Sequence, residues 1–386
     1  MYLKKRIFAI ILSCILFCAE GMTAMANVSI SAPSVILLEA STGQIIYEVN
    51  STERRCPASI TKIMTLLLAF EQIKAGKIKL EDQVLTSEYA SSMGGSQVYL
   101  AQGETQTLDT MLKCIAVASG NDASVAVAEH IAGSEEAFVG LMNERAVELG
   151  MLDTHFEDCC GLTNSDNHYT SAKDVAIMSR ELITKHPEVF QYTQIWMEEI
   201  THETRQGTSN FTLTSTNKLL KQYQWTTGLK TGSTNKAKYC ISATASKDGI
   251  DLIAVVMGAP DFKARFRDAQ TLLSYGYSVC DLYIDSNQEP LTNLVVEGGV
   301  ADEVTLKYQG EFRYLDTQGN ALDQIEKVIE LPKTARAPVA AEEQAGVVHY
   351  ILSGTEIGSV PILYAEDVAK ADYFDYLQKI MGFFLL

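Results

Sequence analysis

The chain has 386 residues, of which 47% are hydrophobic and 20% are charged, and its formal net charge at pH 7 is −17. This length and composition predict a globular protein with two or three domains and exclude a disordered chain. The acidic balance, with no basic stripe to offset it, excludes nucleic acid as a partner, because the phosphates would be repelled.

The first 26 residues have the pattern of an export signal. Basic residues at 4–6 precede an apolar run over 7–18, and small residues stand at 24 and 26. The apolar run is shorter than the ~20 residues that a membrane-spanning helix needs. We therefore predict that residues 1–26 are a cleaved signal peptide and that the mature chain is exported.

The cysteines and histidines predict no metal site. The histidines lack metal-ligand spacing, and the cysteines after residue 26 form neither a CxxC pattern nor a dense disulfide framework. We interpret most of these cysteines as small buried residues. They are Cys56, Cys114, Cys159, Cys160, Cys240 and Cys280. We predict no metal and no cofactor.

Hydrophobic periodicity predicts a main domain over residues 27–285 that combines helices with an antiparallel sheet, an α+β fold. Its helix from Ser59 is apolar on nearly every side, which indicates burial. The predicted elements, in chain order, are a hairpin over 34–49, a helix over 59–76, helices over 108–149, a helix over 171–183, a hairpin around Asp248-Gly249 and a helix over 264–275.

The remainder of the chain changes character. Short strand-like runs replace helical patterns, which predicts a small β-rich domain over residues 286–365. Residues 366–386 return to helical spacing, with apolar residues on one face and Phe383, Phe384, Leu385 and Leu386 at the end. Two interpretations stay open for this amphipathic helix: packing on the β-rich domain, or an anchor in the membrane interface.

Ser59 and Lys62 are three residues apart in the first turn of the buried helix, so their side chains share one face. Serine needs a base to become a strong nucleophile, and only a neutral lysine accepts a proton. Burial disfavours the charged amine and lowers its pKa. The pair predicts a nucleophile and its base, although a capping serine followed by a surface lysine has the same pattern.

Two more stretches favour the interpretation of Ser59 and Lys62 as a nucleophile and its base. Ser119-Gly120-Asn121 interrupts an apolar helical run, and Lys230-Thr231-Gly232 precedes the hairpin at Asp248-Gly249. Each has an ordinary explanation, a helix break or an exposed lysine on an edge strand. In the order SxxK, SxN and KTG, however, the three match the signature of penicillin-binding proteins and class A β-lactamases.

With these motifs the chain resembles the serine-type D-alanyl-D-alanine carboxypeptidases, the low-molecular-mass penicillin-binding proteins. The blocks EASTGQIIYEVN, PASITKIMT, GLTNSDNHYTSAKDVA, GLKTGST and GAPDFKARFRDAQTLLSYGY carry the resemblance from about Ser34 to the end of the chain. It implies a penicillin-recognising domain, a β-rich domain and a terminal helix on the outer face of the cytoplasmic membrane.

The resemblance also implies roles for single residues. Ser59 is the nucleophile, Lys62 the base, and Ser119 relays a proton to the leaving amine. The implied substrate-binding residues are Asn121, Lys230, Thr231, Gly232 and Ser233. The backbone N–H groups of Ser59 and Ser233 form the implied oxyanion hole. Gly232 is expected to let substrate approach the strand closely.

The implied partners are the pentapeptide stem of peptidoglycan and β-lactam antibiotics as covalent inhibitors. Two rival functions remain. A β-lactamase would need an acid that activates the deacylating water, and Glu157 and Asp158 lack a matching motif. An inert wall-binding protein would not need intact SxxK, SxN and KTG motifs.

Overall fold

The computed structural model describes residues 28–205 and 207–384, and the side chains of these residues up to 381. The predicted signal peptide, residues 1–26, therefore lies outside the described residues. The described chain consists of a helical and sheet region followed by a β-rich region.

The helices and strands have the following bounds. The helices are α1 Lys62–Lys74, α2 Glu88–Ser91, α3 Leu108–Ala116, α4 Asn121–Ala132, α5 Glu135–Glu148, α6 Ala172–Lys185, α7 Phe190–Thr193, α8 Leu219–Gln222, α9 Phe262–Val279 and α10 Tyr373–Phe384. Short 3₁₀ turns cover Ala58–Thr61, Pro187–Val189 and Leu322–Gln324. The strands are β1 Ser34–Glu39, β2 Ile45–Val49, β3 Gln83–Leu85, β4 Thr105–Thr107, β5 Met197–Thr204, β6 Gly207–Thr214, β7 Thr226–Thr234, β8 Lys238–Lys247, β9 Ile250–Ala259, β10 Asp281–Asp285, β11 Leu294–Glu297, β12 Glu303–Val304, β13 Leu306–Tyr308, β14 Phe312–Asp316, β15 Glu326–Glu330, β16 Thr334–Arg336, β17 Gln344–Leu352 and β18 Thr355–Tyr364.

A five-stranded antiparallel sheet with the order β2-β1-β9-β8-β7 forms the centre of the first region. Alternate residues of β1 enter different cores, since side chains of a strand point to opposite faces. Ile36 and Leu38 pack with the helical core, whereas Val35 and Leu37 pack with the core under α9. Helices therefore cover both faces of the sheet, which confirms the predicted α+β main domain.

The local predictions for this region are confirmed with small shifts. The predicted helix from Ser59 starts as the 3₁₀ turn and continues as α1, which is buried from Lys62 to Phe70. The predicted helical stretch 108–149 divides into α3, α4 and α5, and the break between α3 and α4 holds the SGN motif. Asp248 and Gly249 have positive φ angles and join β8 to β9 as the predicted hairpin turn.

The β-rich region begins slightly earlier than predicted. Strand β10 pairs with β14, so residues 281–285 belong by pairing to the second region and not to the first. Strand β18 is central, with β13 on one side and β17 on the other. Tyr350 and Phe312 stack in its core with ring centroids 3.8 Å apart. Division of the chain into separate domains remains a prediction.

The C-terminal helix begins later than predicted, at Tyr373 and not at 366. Residues before it pair with the β-rich region, where Val368 bridges Val339 and is buried, and this pairing keeps them extended. In α10, Lys379 Nζ donates to Gly299 O at 3.0 Å. Its apolar side chains are largely exposed, Phe374 to 74%. None of the described helices combines the length and apolar character needed to cross a bilayer.

Candidate active site

Ser59 and Lys62 meet as their spacing predicts. The 3₁₀ turn places Ser59 one turn before Lys62, and Lys62 Nζ lies 3.1 Å from Ser59 Oγ. Lys62 Nζ also donates to Asn121 Oδ1 at 2.6 Å and to the carbonyl oxygen of Cys160 at 2.8 Å. A neutral amine has two hydrogens, and these two fixed oxygens accept both. Its lone pair is then left for the Ser59 hydroxyl, within the distance that general-base catalysis requires.

Burial sets the protonation of Lys62. Its side chain is completely buried. Burial lowers the pKa of the Lys62 amine, although the thiols of Cys160 and Cys159 and the carboxylates of Asp158 and Asp122 partly oppose this. Desolvation is the dominant cause.

The second and third motifs meet on the opposite side of the site. Lys230 Nζ donates to Ser119 Oγ at 2.8 Å and to Thr231 O at 3.1 Å. Lys230 is 1% exposed although β7 is an edge strand, which excludes the alternative of an exposed edge lysine. Burial lowers the pKa of Lys230 far below its ordinary value, and the positive charges of Lys62 and Arg265 lower it further.

The backbone around the SGN motif is specialised. Ser119 has a φ of +63°, in the left-handed region that non-glycine residues seldom adopt. Asn121 begins α4, and its Nδ2 donates to Gly94 O at 2.7 Å while Oδ1 accepts from Lys62. Asn121 therefore orients the base through a side chain that is held at both ends.

A polar cavity of about 350 Å³ connects these groups. Ser59, Ser119, Thr231, Gly232 and Ser233 all line it, so the three motifs converge on one space. The residues that complete the lining are Ser96, Thr214, Ser215, Thr216, Lys218, Phe262 and Arg265. Hydroxyl groups dominate this wall, which suits a substrate rich in amide and carboxylate groups.

Gly232 has a structural reason in addition to the expected one. A Cβ at this position would lie 2.8 Å from Pro57 O and 3.0 Å from Ser59 N. The glycine therefore allows β7 to pack directly against the backbone of the nucleophile segment. That it also lets substrate approach the strand stays a prediction.

Arg265 is a candidate site residue that the sequence patterns did not single out. It is 3% exposed at the start of α9, and its Nη1 donates to Gly232 O at 3.2 Å. Burial lowers the pKa of its guanidinium to about 10. One sequence signal could have identified Arg265, because it stands between two phenylalanines, Phe262 and Phe266. In the structure both rings pack against its guanidinium. Because Arg265 lines the cavity, it adds a positive charge to the site.

A histidine positions the segment that carries Ser59. His168 Nδ1 accepts from Glu157 N at 2.9 Å, so His168 Nε2 donates to Thr61 Oγ1 at 2.9 Å. Thr61 Oγ1 donates in turn to Ala58 O, which precedes the nucleophile. This chain of hydrogen bonds requires the neutral imidazole, and burial lowers the pKa of His168 accordingly.

The acids near the CCGL segment are occupied elsewhere. Asp158 Oδ2 accepts from Thr163 N at 2.6 Å, and Asp158 Oδ1 accepts from Cys160 N at 2.9 Å. Neither Asp158 nor Glu157 lines the cavity, in accord with the expectation that distinguishes the chain from class A β-lactamases. Glu135, Asp158 and Cys160 bring potential metal-ligand atoms within 4.8 Å of one another, and the absence of a metal remains a prediction.

The cysteines of the described chain are free and buried, and the burial is as the sequence predicts. Cys160 contributes to the site through its backbone, since its carbonyl oxygen accepts from Lys62. Cys159 does the same for the neighbouring turn, where its carbonyl oxygen accepts from Thr65. Sequence patterns cannot identify such main-chain acceptors, because every residue type offers one.

Comparisons with known proteins agree with this geometry. Residues 21–261 match the family model described as D-alanyl-D-alanine carboxypeptidase. Residues 283–370 match the model described as penicillin-binding protein 5, C-terminal domain. These two matches fall on the two regions of the fold.

Individual relatives extend over most of the chain. The chain is 39% identical to D-alanyl-D-alanine carboxypeptidase DacF of Bacillus subtilis over 352 residues, which cover 91% of this chain and 89% of the relative. It is 30% identical to D-alanyl-D-alanine carboxypeptidase DacA of Escherichia coli K12, covering 90% of this chain and 87% of the relative. The structure is similar to penicillin binding protein 5 from Haemophilus influenzae, with a TM-score of 0.74, 29% identity, and coverage of 89% of this chain and 98% of that one.

Proposed function

The chain belongs to the D-alanyl-D-alanine carboxypeptidase family, and we propose that Ser59 is the nucleophile with which it performs this activity. The protein is a serine-type hydrolase of peptidoglycan metabolism that removes the terminal D-alanine of pentapeptide stems. The observation that carries the assignment of residues is the 3.1 Å contact between Ser59 Oγ and the buried Lys62 amine.

Acylation follows from that contact. Ser59 Oγ attacks the carbonyl carbon between the two D-alanines, and its proton passes to neutral Lys62 Nζ. The bond to the terminal D-alanine breaks, and the leaving amine takes a proton that Ser119 relays. Water then attacks the ester on Ser59 and restores the free hydroxyl. β-Lactam antibiotics acylate the same oxygen, since their strained amide occupies the position of the scissile bond.

The substrate carboxylate explains why positive charge gathers at one cavity: Arg265 lines it, and Lys230 donates to the lining residues Ser119 and Thr231. In this proposal Lys230, Arg265 and the hydroxyl of Thr231 bind the terminal carboxylate, whose negative charge offsets the repulsion between the two cations. With the carboxylate bound, Lys230 holds its proton and Lys62 is the amine that stays neutral. Thr231 Oγ1 lies 2.7 Å from Thr216 Oγ1, which positions the hydroxyl; to donate its single proton to the carboxylate, Thr231 accepts from Thr216 at this contact.

Backbone N–H groups stabilise the negative charge that develops on the attacked carbonyl. The close packing of Gly232 against Ser59 N supports an oxyanion hole formed by the N–H groups of Ser59 and Ser233. One such donor typically contributes ~2.7–4 kcal/mol to the transition state. Asn121 orients the substrate amide from the other side, next to its contact with Lys62.

The C-terminal helix is the proposed contact with the outer face of the cytoplasmic membrane. Tyr373, Phe374, Ile380 and Met381 expose apolar surface, between 56% and 75% of each side chain. A helix packed on the β-rich region would bury these groups, so the exposure supports an interfacial helix. Residues 1–26 supply the proposed export signal. A truncation after residue 371 should keep activity and lose binding to phospholipid vesicles.

The test of the assignment uses a synthetic pentapeptide that ends in D-Ala–D-Ala. The wild-type protein should release D-alanine, and penicillin should abolish the release. Ser59→Ala should lose both D-alanine release and covalent labelling by a fluorescent penicillin while its thermal unfolding stays unchanged. Unchanged release by Ser59→Ala would refute the assignment, and fast turnover of the penicillin would favour the β-lactamase alternative.

A further inference from the structure

A second cavity lies beside the active site and has no role in the mechanism above. It measures about 840 Å³ and is lined by residues that include Tyr99, Glu104, His202, Asn210 and Phe211. Two chain segments connect it with the active-site cavity. The loop from Ser96 to Tyr99 reaches from one to the other, and so does β6 from Thr214 to Phe211. The two cavities therefore lie next to each other along the same two segments.

A buried polar network preorganises the floor of this second cavity. Glu104 is 3% exposed, and its Oε1 accepts from His202 Nδ1 at 2.7 Å and from Gln106 Nε2 at 2.9 Å. Glu104 Oε2 accepts from Ala101 N at 2.8 Å. His202 Nε2 is buried without a hydrogen-bond partner among the described residues. The network fixes the loop against β5 and leaves one polar ring atom unused at the cavity.

Tyr99 forms an aromatic wall. Its φ of +64° is unusual for a bulky residue and costs about 1–3 kcal/mol. The ring is 70% exposed, and its edge contacts Phe211 at a centroid distance of 5.8 Å. Such an exposed ring beside amide and hydroxyl groups offers a stacking surface with hydrogen-bonding groups around it.

The charges and the distance identify the occupant. Both carboxylate oxygens of Glu104 are hydrogen-bonded within the fold, and the other charged lining residues in the described chain, Glu203 and Arg205, are opposite in sign, which favours an uncharged polar ligand. Phe211 and Thr214 are three residue steps apart along β6, roughly 10 Å at ~3.3 Å per residue. Four stem residues separate the scissile bond from the sugar, roughly 13–14 Å when fully extended.

We propose that this second cavity binds the N-acetylated amino sugar that carries the pentapeptide stem, with the sugar ring stacked on Tyr99. The inference rests on the proposed function, since it assigns the distal part of the same substrate. It makes the glycan a determinant of affinity, because the sugar and the scissile peptide bond occupy the two neighbouring cavities.

The test compares a disaccharide pentapeptide with the same pentapeptide lacking sugar. Tyr99→Ala should lower kcat/KM for the disaccharide substrate about tenfold, through KM, and change the value for the sugar-free substrate less than about twofold. Tyr99→Phe, which keeps the ring, should behave as wild type. Tyr373→Ala is the matched control, because Tyr373 is also an exposed tyrosine, at 75%, but lies in α10. Equal losses on both substrates, or no loss on either, would overturn the proposal.

A binding measurement separates this inference from the proposed function. Saturation-transfer NMR with the free N-acetylglucosaminyl–N-acetylmuramic acid disaccharide should detect binding to Ser59→Ala, and Tyr99→Ala in that background should remove it. If the wild-type protein released no D-alanine from either substrate, the proposed function would fail while this binding could still be observed. Absence of Tyr99-dependent binding would overturn the sugar site whatever the activity.

Discussion

The two regions of the molecule treat buried and partly buried lysines in opposite ways. In the first region, Lys62 and Lys230 are buried, and their recorded partners are hydroxyl and carbonyl oxygens. In the β-rich region, Lys327 Nζ lies 2.9 Å from carboxylate oxygens of both Asp285 and Glu289. Burial lowers the pKa of the first two amines. Burial also acts to lower the pKa of Lys327, but its bonds to these carboxylates outweigh burial and raise it.

The difference shows what the first region gains from unpaired amines. A buried cation without a carboxylate partner destabilises the fold unless it gives up its proton. A neutral amine is what a serine nucleophile needs as its base, and a cation awaiting a carboxylate is what substrate binding needs. Lys327, by contrast, has its counterions within the fold and serves stability.

Removing the lysines tests this comparison with the largest expected effect. Lys230→Met should lower kcat/KM about 10- to 150-fold, the equivalent of a charge-assisted hydrogen bond of ~1.5–3 kcal/mol. It should raise Tm by about 2–4 °C, since an apolar side chain replaces a buried amine that has no carboxylate partner. Lys327→Met should lower Tm and leave activity unchanged. D-alanine release measures the activity of both variants, and calorimetry measures their Tm. A fall in Tm for Lys230→Met would contradict this explanation.

Glycine substitutions sharpen the comparison at the level of packing. Gly232→Ala places a Cβ 2.8 Å from Pro57 O, which should cost ~1–3 kcal/mol of unfolding free energy and lower kcat/KM at least about tenfold by displacing β7 from Ser59. Gly310→Ala in the β-rich region meets no atom within 4 Å and is the control. Urea unfolding measures the free energy of unfolding of both variants, and D-alanine release measures their kcat/KM. Equal behaviour of the two would show that the contact with Pro57 is unimportant.

Protonation of histidines gives the smallest expected effect on stability, and the sign of this effect is opposite in the two regions. Burial lowers the pKa of His168, while Asp158, Glu157, His155 and Lys236 also act on it. The unfolded chain then binds the proton more readily, so stability should fall as pH decreases below about 6.5. His349 has its pKa raised by Glu356 and Glu330, so its contribution is present below pH 6.5 and lost as pH rises.

Matched variants separate these two contributions. His168→Gln keeps an acceptor and a donor without a charge, so it should weaken the acid-side fall in Tm. His349→Gln should instead steepen that fall slightly. Tm measured between pH 5 and 8 tests both. A pH dependence of Tm that His168→Gln leaves unaltered would show that this imidazole does not titrate on folding.

Much of the site was predictable because its chemistry lies in side chains at fixed local spacing. Ser59 and Lys62 meet within one turn, and the polar break at Ser119 and the edge strand at Lys230 follow from local patterns. The orientation of Lys62 was not predictable, because it depends on the carbonyl oxygen of Cys160, which any residue could supply. Arg265 was missed because a lone basic residue in an amphipathic helix ordinarily faces solvent.

The fold shows the same limit. The hairpin of β5 and β6 gives a weak sequence signal, since the buried residues of β5 are Ile200 and the polar His202. Its polar face hides the alternation that identifies strands. The start of α10 was predicted too early, because isolated bridges from Val368 to Val339 and from Lys370 to Gly299 override the helical periodicity of this segment.

Direct observation of the Lys62 amine tests the central claim, that burial makes this residue the base of Ser59. In protein labelled with ¹⁵N at lysine side chains, the Nζ signal that disappears in Lys62→Met identifies the residue. We expect this signal to titrate below the ordinary lysine value of 10.5, because burial lowers the pKa of the Lys62 amine. A Lys62 amine that stays protonated until the exposed lysines lose their protons would contradict the account.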